Sequence, residues 1–195
     1  MAADRFLLES AQQPTLRLYQ WQGPWLSLGY AQRWAPPDYV PWVRRPSGGR
    51  AVLHHLEYTY ALVLPEAQGS LSEIYTYLTG LWLQCLSPWG AHLGQDGRSA
   101  SEKSSCYQLV QRGEVCLGGR KWVGSAQVRQ GARLLQHGSI PYAVDDQLFE
   151  SVFPGCELPA SAPITLEDLR QGFPEPLIEQ PWTMQEREQI SCRLD

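Results

Sequence analysis

The spacing of apolar positions changes repeatedly along the chain, and each change predicts an element. Residues 1–10, MAADRFLLES, put Ala3, Phe6, Leu7 and then Ala11 on one side of a short amphipathic helix. Residues 15–21, TLRLYQW, alternate instead: Leu16 and Leu18 fall on one face, Arg17 and Tyr19 on the other, as in a half-buried strand. Gly23-Pro24 turns the chain into a second strand, WLSLGY. After a proline-bearing loop at 34–39, residues 40–45 read as extended. AVLHHLEYTYALVL, residues 51–64, is rich in β-branched, aromatic and aliphatic side chains and predicts one long strand or two short ones.

The period then becomes helical. Ser70 and Glu73 have capping-box spacing, and Ile74, Tyr77, Leu78, Leu81, Trp82 and Cys85 recur at three and four. Residues 94–105 are small and polar and predict a loop. CYQLVQ, GEVCLGG, RKWVGSAQVRQ and ARLLQHGSIPYAV follow as short strands parted by glycines. Asp145-Asp146 caps a helix carrying Leu148, Phe149, Val152 and Phe153. Thr165-x-x-Asp168 and Thr183-x-x-Glu186 mark two further helix starts. Strands that follow one another without helical crossovers predict an α+β fold with a mixed, largely antiparallel sheet flanked by helices.

Composition narrows the possibilities. The 195 residues suit a single domain (1–195), with a motif-bearing core over 1–155 and a helical segment over 156–195. The 43% hydrophobic and 18% charged fractions are those of a folded globule. A net charge of -4 gives no global bias toward nucleic acid or anionic membrane. No apolar run approaches the roughly 18 residues of a membrane span, and the N-terminus lacks a secretory pattern. Five cysteines without a C-x-x-C pair argue against a disulfide framework or zinc ribbon, so no metal is expected and a reducing cytoplasm is. Basic residues are nevertheless concentrated locally, at Arg44, Arg45 and Arg50 and at Arg120, Lys121, Arg129 and Arg133, which suits a small anionic ligand.

Three segments carry candidate chemistry. RRPSGGRAVLHH, residues 44–55, has neither Walker nor GxGxxG spacing. Gly48-Gly49 let the backbone approach a ligand, and the arginines offer forked donors to a phosphate, a carboxylate or a thioester carbonyl; a hairpin turn with solvated arginines fits equally well. In GRKWVGSAQVRQ, Lys121 precedes the small patch Gly124-Ser125-Ala126; alone it reads as an exposed strand lysine. His137, in LLQHGSI, reads alone as a structural histidine. Of the cysteines, Cys85 and Cys116 fall on apolar stripes. Cys106 sits where the polar loop meets a strand, as a low-pKa nucleophile or as an incidental thiol.

Together, RRPSGGRAVLHHLEYTYALVLPE, GRKWVGSAQVRQ and LLQHGSIPY resemble in order and spacing the biotin/lipoate protein ligase and octanoyltransferase superfamily. MAADRFLL looks like that family's first helix and LRLYQW-x-x-P-WLSLGY like its first hairpin. Set against that family's pattern, the sequence is expected to lack the strand before that helix and the ligases' accessory domain. The text RRPSGGRAVLH is most similar to Bacillus-type octanoyltransferases, which carry RPTGGRAVLH, whereas ligases usually carry RRxSGGGAVYHD. That branch has a nucleophilic cysteine in C-F-x-x-P-S-x-Y-E-L, fifteen residues before the GRK lysine. Fifteen residues before Lys121 stands Cys106, and Glu114 falls on the motif's Glu, while Val110, Gln111 and Gly113 replace its Pro, Ser and Tyr.

The resemblance implies transfer of an octanoyl or lipoyl group from acyl carrier protein to a lysine of a lipoyl domain, such as the glycine-cleavage carrier protein or a dehydrogenase E2 subunit. It implies Cys106 and Lys121 as catalytic residues. Arg45, Gly48, Gly49, Arg50, Ala51, His54, Gly124, Ser125 and Ala126 would bind substrate, with the Ala51-Val52-Leu53 step lining an acyl slot. His54 and Lys121 both qualify to take the incoming lysine's proton. No cofactor is required; ATP and Mg enter only if the chain is a lipoate–protein ligase. The resemblance is also compatible with a lipoyl-domain amidotransferase and with a non-catalytic acyl or lipoyl-domain binder.

Overall fold

In a computed structural model, which describes residues 1–94 and 113–174, helix α1 (Ala2–Ser10) opens the chain. The strands β1 (Thr15–Tyr19), β5 (Glu57–Leu64), β10 (Arg133–Pro141) and β9 (Gly124–Gln130) form a four-stranded sheet in the order β1-β5-β10-β9, antiparallel throughout. A second sheet has the order β3-β2-β4, from β2 (Trp25–Leu28), β3 (Trp42–Arg44) and β4 (Val52–His54); β2 pairs parallel with β3 and antiparallel with β4. A third joins β6 (His92–Leu93), β7 (Val115–Leu117) and β8 (Arg120–Lys121). Helices α2 (Leu71–Leu86), α3 (Asp146–Val152) and α4 (Leu166–Gly172) complete an α+β fold, as the sequence predicts. No helix among the described residues is long and apolar enough to cross a membrane.

The period-2 alternation decides which helix each sheet face meets. Ala61, Val63 and Leu135 point to one side and bury Leu7, Leu8 and Ala11 of the α1 segment. Tyr60, Leu62, Leu134 and Ile140 point to the other, against Ile74, Leu78, Trp82 and Leu86 of α2. Each such large side chain contributes about 1.5–3 kcal/mol by leaving water. Ser70 and Glu73 form the predicted capping box on α2. The second sheet has its own apolar cluster, in which Leu26, Leu28, Ala51 and Leu53 meet Phe149, Val152 and Phe153 of α3 and its cap.

Several expectations change. The predicted first hairpin does not form: β1 and β2 enter different sheets. Between them Trp21 turns inward, stacks on His54 at 4.7 Å and donates to Thr59 Oγ1 at 2.9 Å, which draws the chain off the edge of the first sheet. The stretch 51–64 resolves into two strands, broken at Leu56, whose φ is +53°. On α1, Leu8 is fully buried and Ala3 is not, because Asp4 shares the inward face. On α2, Tyr77 is 54% exposed. Lys121 and Gly124, within one predicted strand, belong to different sheets. Residues 106–111 and Thr183-x-x-Glu186 lie outside the described residues.

Candidate functional site

The basic glycine segment folds around its own second arginine. Gly49 adopts φ +91°, and the loop lies so close to β2 that a Cβ on Gly29 would fall 1.9 Å from Gly49 O. Arg45 is 4% exposed. Its Nη2 donates to Gly48 O at 2.9 Å and Arg50 O at 2.7 Å, its Nη1 to Ser27 O at 2.9 Å, and its Nε to Gly48 O at 3.2 Å. A forked guanidinium meets this many carbonyls at once and a lysine cannot. Arg44 is engaged similarly, on Gly29 O at 2.7 Å and Gln32 O at 2.9 Å. Two of the three arginines that the sequence offers to an anion, Arg44 and Arg45, therefore hold the loop.

Arg45 also joins two histidine arrays. Its Nη1 reaches Ser27 Oγ at 3.2 Å, and that oxygen lies 2.8 Å from His54 Nε2. His54 Nδ1 is 2.9 Å from Glu57 Oε1, which also accepts from Thr59 Oγ1. On the other side Arg45 Nε reaches Ser47 Oγ at 3.2 Å, and that oxygen lies 2.5 Å from His137 Nε2. His137 Nδ1 is 3.1 Å from Asp4 Oδ2, and Arg17 and Tyr19 hold the same carboxylate.

Each carboxylate can only accept, so each Nδ1 donates to it; where the ring is neutral, its Nε2 accepts from the serine hydroxyl, whose oxygen in turn accepts from Arg45. Burial pushes His137 below its usual range, against the pull of Asp4, which keeps the ring neutral near pH 7. Burial works to raise Asp4, but the hydrogen bond from His137 and the nearby cationic charge outweigh it and hold the carboxyl below its ordinary value.

These arrays back onto a cleft between the α1 face of the four-stranded sheet and the second sheet. Its lining includes Ser27, Arg45, Val52, His54, Thr59, Gly124, Ser125, Ala126, His137 and Ser139, and it encloses ≈ 320 Å³ of empty space, part of it open to solvent. Arg45, His54, Gly124, Ser125 and Ala126, far apart in sequence, thus line one cleft. Gly48, Gly49, Arg50, Ala51 and Lys121 do not line it. Gly48 and Arg50 turn carbonyls to Arg45, and Ala51 is fully buried in the core of the second sheet. Of the Ala51-Val52-Leu53 step, Val52 alone faces the cleft.

Lys121 is 3% exposed rather than a surface lysine, and its Nζ lies 2.5 Å from Glu114 Oε1. The two residues that the resemblance picks out on either side of β7 therefore form one buried pair. Burial raises the Tyr60 phenol well above its usual range, and its hydroxyl lies 2.7 Å from Ser125 Oγ. Gly138 makes the arrangement fit, since a Cβ there would meet Gly124 O at 2.0 Å and the Tyr60 ring at 2.6 Å.

Cys85 and Cys116 are buried and poor nucleophiles. Burial pushes the Cys85 thiol up to about 12 and raises Cys116 as well, with Glu114 adding to the shift. Cys106 and Cys192 lie outside the described residues. Sequence reasoning passes over Ser27, Thr59 and Ser139 as site residues and takes His137 as structural. A small polar residue on a strand carries no signal of its face until the register is known.

Comparison with known proteins agrees with this architecture. The family model of the lipoyl protein ligase A/B catalytic domain matches residues 1–186. The octanoyltransferase LipM of Carboxydothermus hydrogenoformans is 40% identical over 169 residues, covering 76% of this chain and 62% of its own length. That of Kyrpidia tusciae is 39% identical over 159 residues, covering 71% and 58%. The chain thus spans about three fifths of the length of these curated relatives. Among solved structures, lipoate-protein ligase A bound with ATP superposes with a TM-score of 0.76 at 19% identity, over 97% of this chain and 86% of that one. The bipartite lipoate protein ligase of Thermoplasma acidophilum, solved in a study with its E2 lipoyl domain, gives 0.71 at 18% identity, over 97% and 84%. These likenesses concern the fold.

Proposed function

The chain belongs to the lipoyl protein ligase A/B catalytic-domain family, and on that footing we propose that it is an acyltransferase that moves an octanoyl group from acyl carrier protein to a lysine of a lipoyl domain. The observation that carries the reading is the convergence of Arg45, His54 and Gly124-Ser125-Ala126 on one cleft whose floor is small and apolar. A medium acyl chain fits such a floor, and each buried methylene contributes about 0.8 kcal/mol.

In this reading the Cys106 thiolate attacks the donor thioester, forms a new thioester and releases the carrier's thiol. The acceptor lysine then attacks the acyl-enzyme carbonyl; an amide forms and the Cys106 thiol is restored. Thioester exchange is near neutral in free energy and amide formation is downhill, so no ATP is required. The lysine must first lose a proton. His54 suits that step better than Lys121, because Ser27 Oγ lines the cleft and bonds to His54 Nε2, whereas Lys121 Nζ faces Glu114. Glu57 behind His54 stabilises the ring as it gains charge. A cytoplasmic setting keeps Cys106 reduced.

A ligase would ask the same loop to hold ATP phosphates. Arg45 and Arg44 are instead engaged by backbone carbonyls, which favours the transferase. The test is to mix the purified protein with octanoyl-acyl carrier protein and an apo lipoyl domain, without ATP, and to weigh the domain. Octanoylation that disappears in Cys106→Ala supports the reading. Modification that appears only with free octanoate and ATP assigns the chain to the ligases.

A further inference from the structure

Ser139 is a polar group in the cleft wall whose bonding is incomplete. It is 1% exposed, it lines the cleft, and its Oγ has no hydrogen-bond partner among the described residues. The other polar side chains of the described wall are committed: Ser27 to His54 and Arg45, Thr59 to Glu57 and Trp21, His137 to Ser47 and Asp4, and Ser125 to Tyr60. A buried hydroxyl without a partner bears the full desolvation of the group, and folded proteins seldom leave one so.

The register explains why no neighbour satisfies it. Ser139 stands opposite Gly124 on β9 and Thr59 on β5. Gly124 offers no side chain, and the Thr59 hydroxyl already donates to Glu57 while accepting from Trp21. The missing side chain also opens a path along which a ligand can approach the strand backbone. A hydroxyl has one proton to give, and its surroundings leave that proton for whatever occupies the cleft.

We propose that Ser139 Oγ donates a hydrogen bond to the carbonyl oxygen of the acyl group bound in this cleft, and thereby sets how far along the cleft the acyl chain slides. The inference rests on the acyl-cleft reading and adds to it a residue that touches substrate. It also makes Ser139 a cost to the empty protein that its ligand removes, as expected where function sets the side chain rather than stability.

The test uses two unreactive probes of equal length on the full chain: N-ethyloctanamide, which carries the carbonyl, and ethyl octyl thioether, which does not. Calorimetric titration of the wild type and of Ser139→Ala is accompanied by thermal melts of the free proteins. We expect Ser139→Ala to weaken the amide about tenfold, the worth of one neutral hydrogen bond, while leaving the thioether within about twofold. The free variant should melt at the same temperature or higher. Equal losses for both probes, no loss for either, or a lower melting temperature overturns the assignment of Ser139 and leaves the acyl cleft standing. Failure of both probes to bind the wild type overturns the acyl-cleft reading itself, and this inference with it.

Discussion

Arg45 and His54 are linked through a single oxygen: Ser27 Oγ lies 3.2 Å from Arg45 Nη1 and 2.8 Å from His54 Nε2. The Ser47 hydroxyl repeats the arrangement toward His137, so one guanidinium orders both histidines. Ser27→Ala removes the hydroxyl partner of the buried His54 Nε2, while Arg45 Nη1 keeps the Ser27 carbonyl. We expect a loss of about 1–3 kcal/mol in urea unfolding. Arg45→Lys strands several carbonyls at once, and the loss should be larger, about 3 kcal/mol or more.

The neutral state of His137 gives the protein a directional response to acid. A histidine whose folded value is lowered binds its proton less readily folded than unfolded. Stability therefore falls as pH drops through the ordinary value of 6.5 toward the folded one. Asp4, also lowered on folding, adds a second loss as pH falls from its ordinary 3.8 through its folded value. Each group contributes a slope of at most about 1.4 kcal/mol per pH unit. Melting temperature should decline from pH 7 to pH 5. In His137→Gln, whose amide can donate to Asp4 and accept from Ser47, that decline should be shallower. An unchanged slope would show that His137 does not control it.

The Lys121–Glu114 pair is held together by burial on both sides, with side chains 3% and 8% exposed. Lys121→Met takes the Lys121 charge away from a largely buried carboxylate, and we expect a loss of about 3–5 kcal/mol. Adding Glu114→Gln to that variant should recover much of it. A double-mutant cycle by chemical denaturation reads the coupling directly. Additive effects would mean that the two charges act independently.

The sequence foretells elements better than it foretells pairing. The period changes locate α1, α2 and most strands, and the Ser70-x-x-Glu73 and Thr165-x-x-Asp168 caps are where their spacing puts them. The failures share one cause, which is that sheet membership is set by contacts distant in sequence. Trp21 breaks the predicted hairpin by stacking on a histidine thirty-three positions later. Lys121 and Gly124 part into different sheets within four residues. The site shows the same division. Arg45, His54 and Gly124-Ser125-Ala126 are legible because glycine, arginine and histidine cluster conspicuously. The use of Arg45 is not, since nothing local shows that its donors turn back onto the loop that carries it. Asp4, Glu57, Ser27, Ser47 and Ser139 are ordinary residues whose roles follow only from the register and the burial.

In the proposed reaction Cys106 carries the acyl group between donor and acceptor. Intact-mass and peptide mass spectrometry of the full chain, after incubation with octanoyl-acyl carrier protein alone, tests it most directly. One octanoyl adduct is expected on the peptide that contains Cys106, absent in Cys106→Ala and discharged when an apo lipoyl domain is added. An octanoylated lipoyl domain produced at the wild-type rate by Cys106→Ala would contradict it.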